Sequence, residues 1–246
     1  MNPRGEGRGK RGEGRVKRPS RVGEPTLNPL LTLGTLLSTV IAASLTMSLD
    51  FDSDTAGALP PGWRSAMTGE GTSPRWAVIK DQTAPSPPNV LAQLSETSST
   101  TRFPLAILDQ VTCRDGDLSV KFKPISGRLD QSGGLVWRFR DPNNYYVVRA
   151  NALEDNVVLF KVEKGRRSPI APKGTPPQTY GVRHKVPPKA WSSLRVRFEG
   201  PHFVVIFNGE KLFEVEDRTF SEPGKVGLWT KTDSVTHFDD FQVSGH

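Results

Sequence analysis

Apolar residues alternate with polar ones along most of the chain beyond residue 50. The alternation is clearest in residues 118–123, 135–140, 146–151 and 193–198. A period of two is typical of a β-strand with one buried face, whereas an amphipathic helix repeats every 3.6 residues. We therefore predict about a dozen short strands and no helix longer than two turns.

Turn-forming residues separate the predicted strands. The pair Asn208-Gly209 lies between two apolar runs at residues 203–207 and 210–215, and this pair suits a two-residue hairpin turn. The 23 glycines and 21 prolines disfavour long helices. No repeat of 20–50 residues is visible, which argues against a propeller or solenoid. The predicted fold is all-β, with two antiparallel sheets packed as a sandwich.

The positive charge of the chain is concentrated at its N-terminus. The formal net charge is +7, and residues 1–21 account for +6 of it. The rest of the chain is nearly neutral, whereas a nucleic-acid-binding domain should have a basic face of its own. We therefore predict no nucleic-acid partner. The single cysteine excludes an intramolecular disulfide.

The N-terminal region has the order of an export signal. Residues 1–24 are predicted as a basic, disordered n-region, and residues 25–48 as a signal-peptide h-region or a membrane anchor. Small residues offer a cleavage point after Ala43 or Ser44. A disordered tail followed by a buried element remains an alternative. Export or anchoring places the predicted domain, residues 49–246, outside the cytoplasm, with membrane contact only through an uncleaved N-terminal segment.

Three blocks of sequence resemble one known family. They are FDSDTAGALPPGW at residues 51–63, GGLVWRFRDPNNYYVVRAN at residues 133–151, and GKVGLWTKTDSVTHFDDF at residues 224–241. Together they resemble the bacterial 3-keto-disaccharide hydrolase-like family, a former domain of unknown function among the concanavalin A-like jelly rolls. The resemblance covers residues 50–244. It implies two curved antiparallel sheets, a concave face that binds or processes carbohydrate and, in some members, cleavage of 3-keto-glucosides with a divalent metal.

Candidate sugar-binding residues lie on the predicted non-core side of neighbouring strands. Aromatic rings cover the apolar faces of sugars, and planar polar groups fix their hydroxyls. The substrate-binding candidates are Arg140, Tyr145, Arg149, Asn151, Asn156 and Trp229. The alternative is that the charged members face solvent or pair with one another. Trp137 shares the alternation of Leu135 and Phe139 and is predicted to lie in the core.

The acidic residues do not fit a glucanase. Retaining glucanases of this fold place two carboxylates on one strand as Glu-x-Asp-x-x-Glu, and this chain has no such pattern. Cleavage of a 3-keto sugar requires fewer catalytic groups, because the carbonyl acidifies the neighbouring C–H. One base and one cationic or metal stabiliser suffice. The catalytic candidates are Glu154 as base, with Arg138 or Lys231 as stabiliser.

A structural calcium ion is a further hypothesis. Asp52 and Asp54 lie at the start of the predicted domain, and Asp239 and Asp240 lie at its end. The terminal strands of such sandwiches often lie side by side, and carboxylates grouped there would offer hard oxygen ligands to Ca²⁺. The alternative is that these residues cap backbone groups.

Three functions remain open at this point. The first is an exported jelly roll that engages carbohydrate and acts on 3-keto-glucosides. The second is a non-catalytic glycan-binding or cell-surface module. The third is a purely structural envelope sandwich, which would bind no glycan.

Overall fold

The computed structural model describes residues 45–245, and these residues form two antiparallel sheets. Sixteen strands and no helix occur in this range, so none of its segments is a long apolar helix suited to crossing a membrane. The prediction of an all-β, two-sheet sandwich is confirmed. The predicted segment 1–24 and most of the segment 25–48 lie outside the described residues.

Sheet A contains eight strands. Their bounds are β1 Leu45–Leu49, β3 Trp76–Lys80, β4 Asn89–Gln93, β6 Gly116–Ser126, β12 Ser192–Glu199, β13 His202–Phe207, β14 Glu210–Glu216 and β16 Val235–Gly245. The strand order is β14-β13-β12-β6-β16-β4-β3, and β1 also pairs with β16. Strand β1 begins at Leu45, four residues before the predicted start of the domain.

Sheet B also contains eight strands. Their bounds are β2 Trp63–Thr68, β5 Phe103–Cys113, β7 Ser132–Asp141, β8 Asn144–Asn151, β9 Asn156–Glu163, β10 Arg166–Pro169, β11 Val182–Arg183 and β15 Gly224–Trp229. The strand order is β10-β9-β8-β7-β15-β5-β2, and β11 also pairs with β9. Strands β7, β8 and β9 lie side by side in this sheet. Side chains on the same face of neighbouring strands therefore lie close together.

The main core lies between the two sheets. Alternating residues of β6 and β12 in sheet A pack against alternating residues of β7, β8 and β15 in sheet B. Trp137 is part of this core, with its ring stacked on Tyr146 at 5.5 Å. The predicted hairpin is present as β13 and β14, and Asn208 and Gly209 both have positive φ, which a type I′ turn requires.

The outer faces of the two sheets differ. In β12 the residues that alternate with the core are polar and partly or fully exposed. In sheet B the corresponding residues form a second buried apolar cluster on the face opposite the core. Its members are Phe103, Leu105, Ile107, Val136, Phe139, Tyr145, Val147, Val158, Phe160, Val162 and Trp229. The aromatic rings of this cluster are buried, and they support the side chains of the site described next.

Candidate functional site

Strands β8 and β9 bring three of the predicted site residues to one end of the outer face of sheet B. Arg149 and Asn151 alternate with the core residues Val148 and Ala150 on β8, so their side chains lie on the outer face. Asn151 is paired with Asn156 across the β8–β9 ladder. The short turn between these strands contains Glu154.

Arg149 is the centre of a hydrogen-bonded polar network. Its guanidinium is fully buried, and Nη2 donates to Glu154 Oε2 at 2.7 Å and to the Tyr180 hydroxyl at 3.1 Å. Nη1 donates to Asn156 Oδ1, and Asn156 Nδ2 donates to Glu154 Oε2 at 3.0 Å. Arg149 and Asn156 therefore fix the position of Glu154, and Arg149 also holds the Tyr180 hydroxyl.

The network continues to Lys231, which follows β15. Lys231 Nζ forms an ion pair with Asp130 Oδ2 and lies 3.9 Å from Glu154 Oε1. Asp130 Oδ1 accepts a hydrogen bond of 3.1 Å from Asn151 Nδ2. We call Asp130, Arg149, Asn151, Glu154, Asn156, Tyr180 and Lys231 the polar network.

The loop that contains Asp130 is held by Asp233. The carboxylate of Asp233 accepts hydrogen bonds from the backbone amides of Arg128, Leu129 and Asp130, and from the hydroxyl of Thr232. Burial alone would raise the pKa of Asp233, but these hydrogen bonds outweigh burial and lower it. Asp233 is therefore ionised at neutral pH and fixes Asp130 where it meets Lys231.

Aromatic rings lie beside the polar network. The Phe160 ring is 5.8 Å from the Tyr180 ring, and the guanidinium carbon of Arg149 is 5.7 Å from the Phe160 centroid. Trp229 is stacked on Phe103 at 5.6 Å with an interplanar angle of 14°. We call Phe103, Phe160 and Trp229 the aromatic patch. Trp229 lies in the outer cluster of sheet B, as predicted, but it is fully buried there and presents no open ring face to a ligand.

Tyr145 also faces outward but does not join the polar network. Its hydroxyl lies 2.7 Å from Thr68 Oγ1, and its side chain is fully buried. Burial raises the pKa of Tyr145 to about 12, so the phenol is neutral. Tyr145 therefore contributes to the apolar cluster of this face.

The structure does not bring Arg138 and Arg140 to the polar network. Arg138 has φ of 47° and lies in a β-bulge of β7, which reverses the alternation that the sequence predicts. Phe139 consequently lies in the outer cluster and not in the inter-sheet core with Trp137. Arg138 points to the core side, near Phe203, and Arg140 lies over the ring of Phe220.

Gly224 makes this bulge sterically feasible. A Cβ atom at Gly224 would lie 2.4 Å from the carbonyl carbon of Arg138, so no other residue fits beside the bulged backbone. The alternation along β7 alone therefore misplaces Arg138, because the bulge requires a glycine at position 224 of the neighbouring strand β15.

Glu154 is better suited to hydrogen bonding than to strong general base catalysis. Burial raises its pKa, but the charge of Arg149 and hydrogen bonds from Asn156 and Arg149 outweigh burial and lower it. A general base works best with a pKa near the operating pH. Glu154 is therefore ionised at neutral pH, where it is a hydrogen-bond acceptor and a weak base beside the cation Lys231.

The four aspartates of the calcium hypothesis come only partly together. Asp239 accepts hydrogen bonds from the backbone amides of Ser86 and Asp240 at 2.8 Å, Asp240 accepts one from the Ser86 hydroxyl, and Asp52 accepts one from the amide of Asn89. Asp54 has a pKa raised by burial and by the charge of Asp50. Within residues 45–245, no group of three or more His, Cys, Asp or Glu side chains is arranged to hold a metal ion.

Two polar clefts lie on the outer face of sheet A. Their volumes are about 410 and 470 Å³, and both include Ser119, Arg195 and Gln242. Arg195 already pairs with Asp117 through two bonds of 2.7 Å. No aromatic side chain of the described range lines either cleft, whereas the polar network adjoins Phe160 and Tyr180. The outer face of sheet B is therefore the better candidate for a sugar site.

Three residues near this site were not predicted from the sequence. Asp130 lies in a loop whose position depends on Asp233, and Tyr180 follows a proline-rich loop with no strand pattern. Arg167 lies on the four-residue strand β10, which is too short to show alternation. The only local signal was composition, since Tyr180 is an aromatic residue in a loop.

The sequence profile of the 3-keto-α-glucoside-1,2-lyase-like domain matches residues 50–244. The chain belongs to this family. The match covers most of the chain, so the family resemblance predicted from the three sequence blocks is confirmed. A search of curated proteins finds no match.

Solved structures of low sequence identity share the fold of this family member. The carbohydrate binding module CBM66 from Bacillus subtilis is similar with a TM-score of 0.56 and 20% identity, over 75% of this chain and 96% of the module. The cellulose induced protein Cip1 has a TM-score of 0.56 and 13% identity, over 81% of this chain and 97% of Cip1.

A third similar structure is a domain-sized part of a larger protein. The GH43 protein BlXynB from Bacillus licheniformis, as a K247S mutant, has a TM-score of 0.52 and 13% identity, over 81% of this chain and 39% of that protein. At these identities the three similarities establish the fold alone, which is a jelly-roll sandwich.

Proposed function

We propose that the chain binds carbohydrate at the polar network on the outer face of sheet B. The observation that supports this most is the arrangement around Arg149, where Glu154, Asn156 and Tyr180 are held by direct hydrogen bonds. Tyr180 is 45% exposed, and the side chain of Glu154 is 35% exposed, so both present polar atoms to a ligand.

The chemistry of these groups suits a sugar ring. Carboxylate and amide oxygens accept hydrogen bonds from hydroxyls, and the ammonium of Lys231 donates them. The Tyr180 ring supplies an apolar surface of the size of one sugar face. The carbohydrate-binding module among the similar structures is consistent with this use of the fold, and the family membership favours a glucoside.

Binding is tested by calorimetric titration with methyl α-D-glucopyranoside, maltotriose and cellotriose. We expect at least one of them to bind, and we expect Tyr180→Ala and Glu154→Gln each to weaken that binding about tenfold or more. Glu214→Gln is the matched control, because Glu214 pairs with Lys211 on sheet A, away from the network. Binding that is equally weakened by Glu214→Gln, or unchanged in all variants, would contradict the proposed site.

A second candidate function is elimination on a 3-keto-α-glucoside, the reaction class named by the family. Glu154 Oε1 lies 3.9 Å from Lys231 Nζ, so a base and a cation adjoin one another. In this reaction Glu154 takes the proton from C2, the C1–O bond breaks, and its electron pair leaves with the oxygen, which then takes up a proton. The products are a 1,2-unsaturated 3-keto sugar and an alcohol, and Lys231 stabilises the negative charge that develops on the C3 oxygen.

Measurement of product distinguishes carbohydrate binding without catalysis from elimination on a 3-keto-glucoside. Methyl 3-keto-α-D-glucopyranoside is incubated with the protein, and methanol and the unsaturated ketone are measured. Elimination predicts turnover that falls more than about 100-fold in Glu154→Gln and Lys231→Met but not in Glu214→Gln. Binding without product in the unmodified protein would leave the non-catalytic module as the function.

We also propose that the protein is exported. The uncharged run of residues 25–49 follows the basic segment, and cleavage after Ala43 or Ser44 would leave strand β1 complete. N-terminal sequencing of the protein from its own cells tests this proposal. A mature chain that retains residues 1–24 and stays in the cytoplasm would overturn it.

A further inference from the structure

Arg167 lies on the edge strand β10, against the aromatic patch. Its guanidinium carbon is 4.4 Å from the centroid of Phe160, 4.6 Å from that of Phe103 and 5.6 Å from that of Trp229. Three ring contacts hold the planar guanidinium in place, so its position is well defined without any hydrogen bond.

Within the described part of the chain, Arg167 has no anionic partner. It makes no side-chain hydrogen bond or ion pair there, and its Nη1 atom is buried without an acceptor. The other cations of this face are paired: Arg149 with Glu154, Lys231 with Asp130, and Arg64 with Asp109. Burial lowers the pKa of Arg167, although an arginine stays charged at neutral pH.

The charged groups around the site differ in how they are paired. Arg149 is paired with Glu154 and Lys231 with Asp130, while Asp233 is bonded to the backbone of the Asp130 loop, so the guanidinium of Arg167 is the group here without an ion-pair partner among residues 45–245. A partly buried cation without a partner is costly, and a charge-assisted hydrogen bond from a ligand removes much of that cost. The site therefore favours a ligand with a single negative charge near Arg167.

The shape of the donor group favours a carboxylate. A guanidinium donates two parallel hydrogen bonds to a carboxylate that lies in its own plane. Because rings flank Arg167, a flat group at its edge fits better than a tetrahedral one. The hydroxyls of the same ligand would reach Tyr180, whose ring adjoins Phe160, and Glu154, which shares the Arg149 guanidinium with Tyr180.

We propose that the site recognises a sugar that carries a carboxylate, a glycuronic acid, and that Arg167 binds the carboxylate. This inference rests on the proposed carbohydrate site and adds the class of sugar to it. Arg167 is then the residue that distinguishes an acidic glycoside from its neutral counterpart.

The test compares methyl α-D-glucopyranosiduronic acid with its own methyl ester, which keeps the ring and removes the charge. By titration calorimetry the acid is expected to bind about 10- to 100-fold more tightly than the ester. In Arg167→Met the acid and the ester are expected to bind equally, and Arg167→Lys is expected to keep part of the preference. Arg64→Met is the matched control, because Arg64 lies over Phe139 on the same face but is paired with Asp109.

The outcomes separate the two proposals. Equal binding of acid and ester to the unmodified protein, or a preference that persists in Arg167→Met, overturns the glycuronic-acid inference and leaves the carbohydrate site standing. Binding of neither, when one of the neutral sugars tested above does bind, overturns the glycuronic-acid inference alone, and binding of none of these ligands overturns both proposals. Tighter binding of glucose 6-sulfate than of the acid overturns the carboxylate assignment. If Arg167→Met does not fold, Arg167→Lys and the shift of the Arg167 Nε NMR signal on titration of the unmodified protein decide the question.

Discussion

Arg138 and Arg149 are both buried and lie on neighbouring strands, but they contact different parts of the molecule. We call these two regions the Arg138 end and the Arg149 end. Arg138 donates to the backbone carbonyls of Arg114, Phe220 and Gly200 at 2.6–3.0 Å, and to the Asp115 carboxylate at 3.2 Å. Arg149 donates only to side chains, and its Nε atom is buried with no acceptor among residues 45–245. Backbone carbonyls cannot move away without disturbing the fold, whereas side chains in a turn and a loop can exchange partners. Burial of an arginine therefore does not by itself mark a binding site; Arg149 differs from Arg138 because two of its side-chain partners, Glu154 and Tyr180, are open to solvent.

The largest loss of stability is expected when Arg138 is replaced. Arg138→Met leaves buried carbonyls and the Asp115 carboxylate without a donor, so we expect the free energy of unfolding to fall by about 3–5 kcal/mol. Urea unfolding monitored by fluorescence measures this change. Arg140→Met is the control, since Arg140 is exposed, lies over the Phe220 ring and forms no side-chain hydrogen bond or ion pair within residues 45–245, and it should change stability by less than about 0.5 kcal/mol. Equal stability of the two variants would contradict the structural role of Arg138.

Acidification should also affect the Arg138 end. Asp217 accepts hydrogen bonds from the Tyr146 hydroxyl at 2.6 Å, from the Thr219 amide at 2.8 Å and from Lys161 at 3.1 Å. Burial raises its pKa, but these bonds together outweigh burial and lower it. A lowered pKa gives stability that is present above the unfolded-state pKa and is lost as the pH falls through the folded-state pKa.

The variant Asp217→Asn tests this pH dependence. We expect it to be about 1–2 kcal/mol less stable than the unmodified protein at pH 6, and we expect the difference to shrink by pH 3. Unfolding curves at both pH values provide the measurement. A difference that is the same at pH 6 and pH 3 would show that the charge of Asp217 is not responsible.

At the Arg149 end, function should suffer more than stability. Glu154→Gln keeps an acceptor for the buried Arg149 but removes the carboxylate paired with it, so we expect about 1–2 kcal/mol of destabilisation, less than in Arg138→Met. The same variant should lose most of its glycan affinity in the titration described above. A large drop in melting temperature would instead make Glu154 part of the structural framework, like the partners of Arg138.

The smallest expected effect concerns the calcium hypothesis. If Ca²⁺ is bound near Asp52, Asp239 and Asp240, EDTA should lower the melting temperature and added Ca²⁺ should restore it. We expect a shift of a few degrees at most, because backbone amides already occupy the carboxylate oxygens of Asp239. A melting temperature unchanged by EDTA would retire the hypothesis, and Asp240→Asn should abolish any shift that calcium causes.

The sequence predicts the sandwich well because alternation is a local property. The outward positions of Tyr145, Arg149 and Asn151 follow from residues within the same strand. Arg138 and Phe139 could not be placed in this way, since the β-bulge depends on contact with Gly224 of another strand. Tyr180 and Arg167 escaped prediction because their positions are set by the aromatic rings they contact, which lie far away in the sequence.

The pairing of β1 with β16 has a consequence for engineering. Leu45 lies opposite Gly245 in this antiparallel ladder. The first and last described residues are therefore one strand spacing apart. A short linker from residue 245 to residue 45 would close the described chain into a ring, and new termini could then be opened at the Asn208-Gly209 turn. Such a circular permutant would let the sandwich be inserted into a surface loop of a host protein while the outer face of sheet B keeps its own strand order.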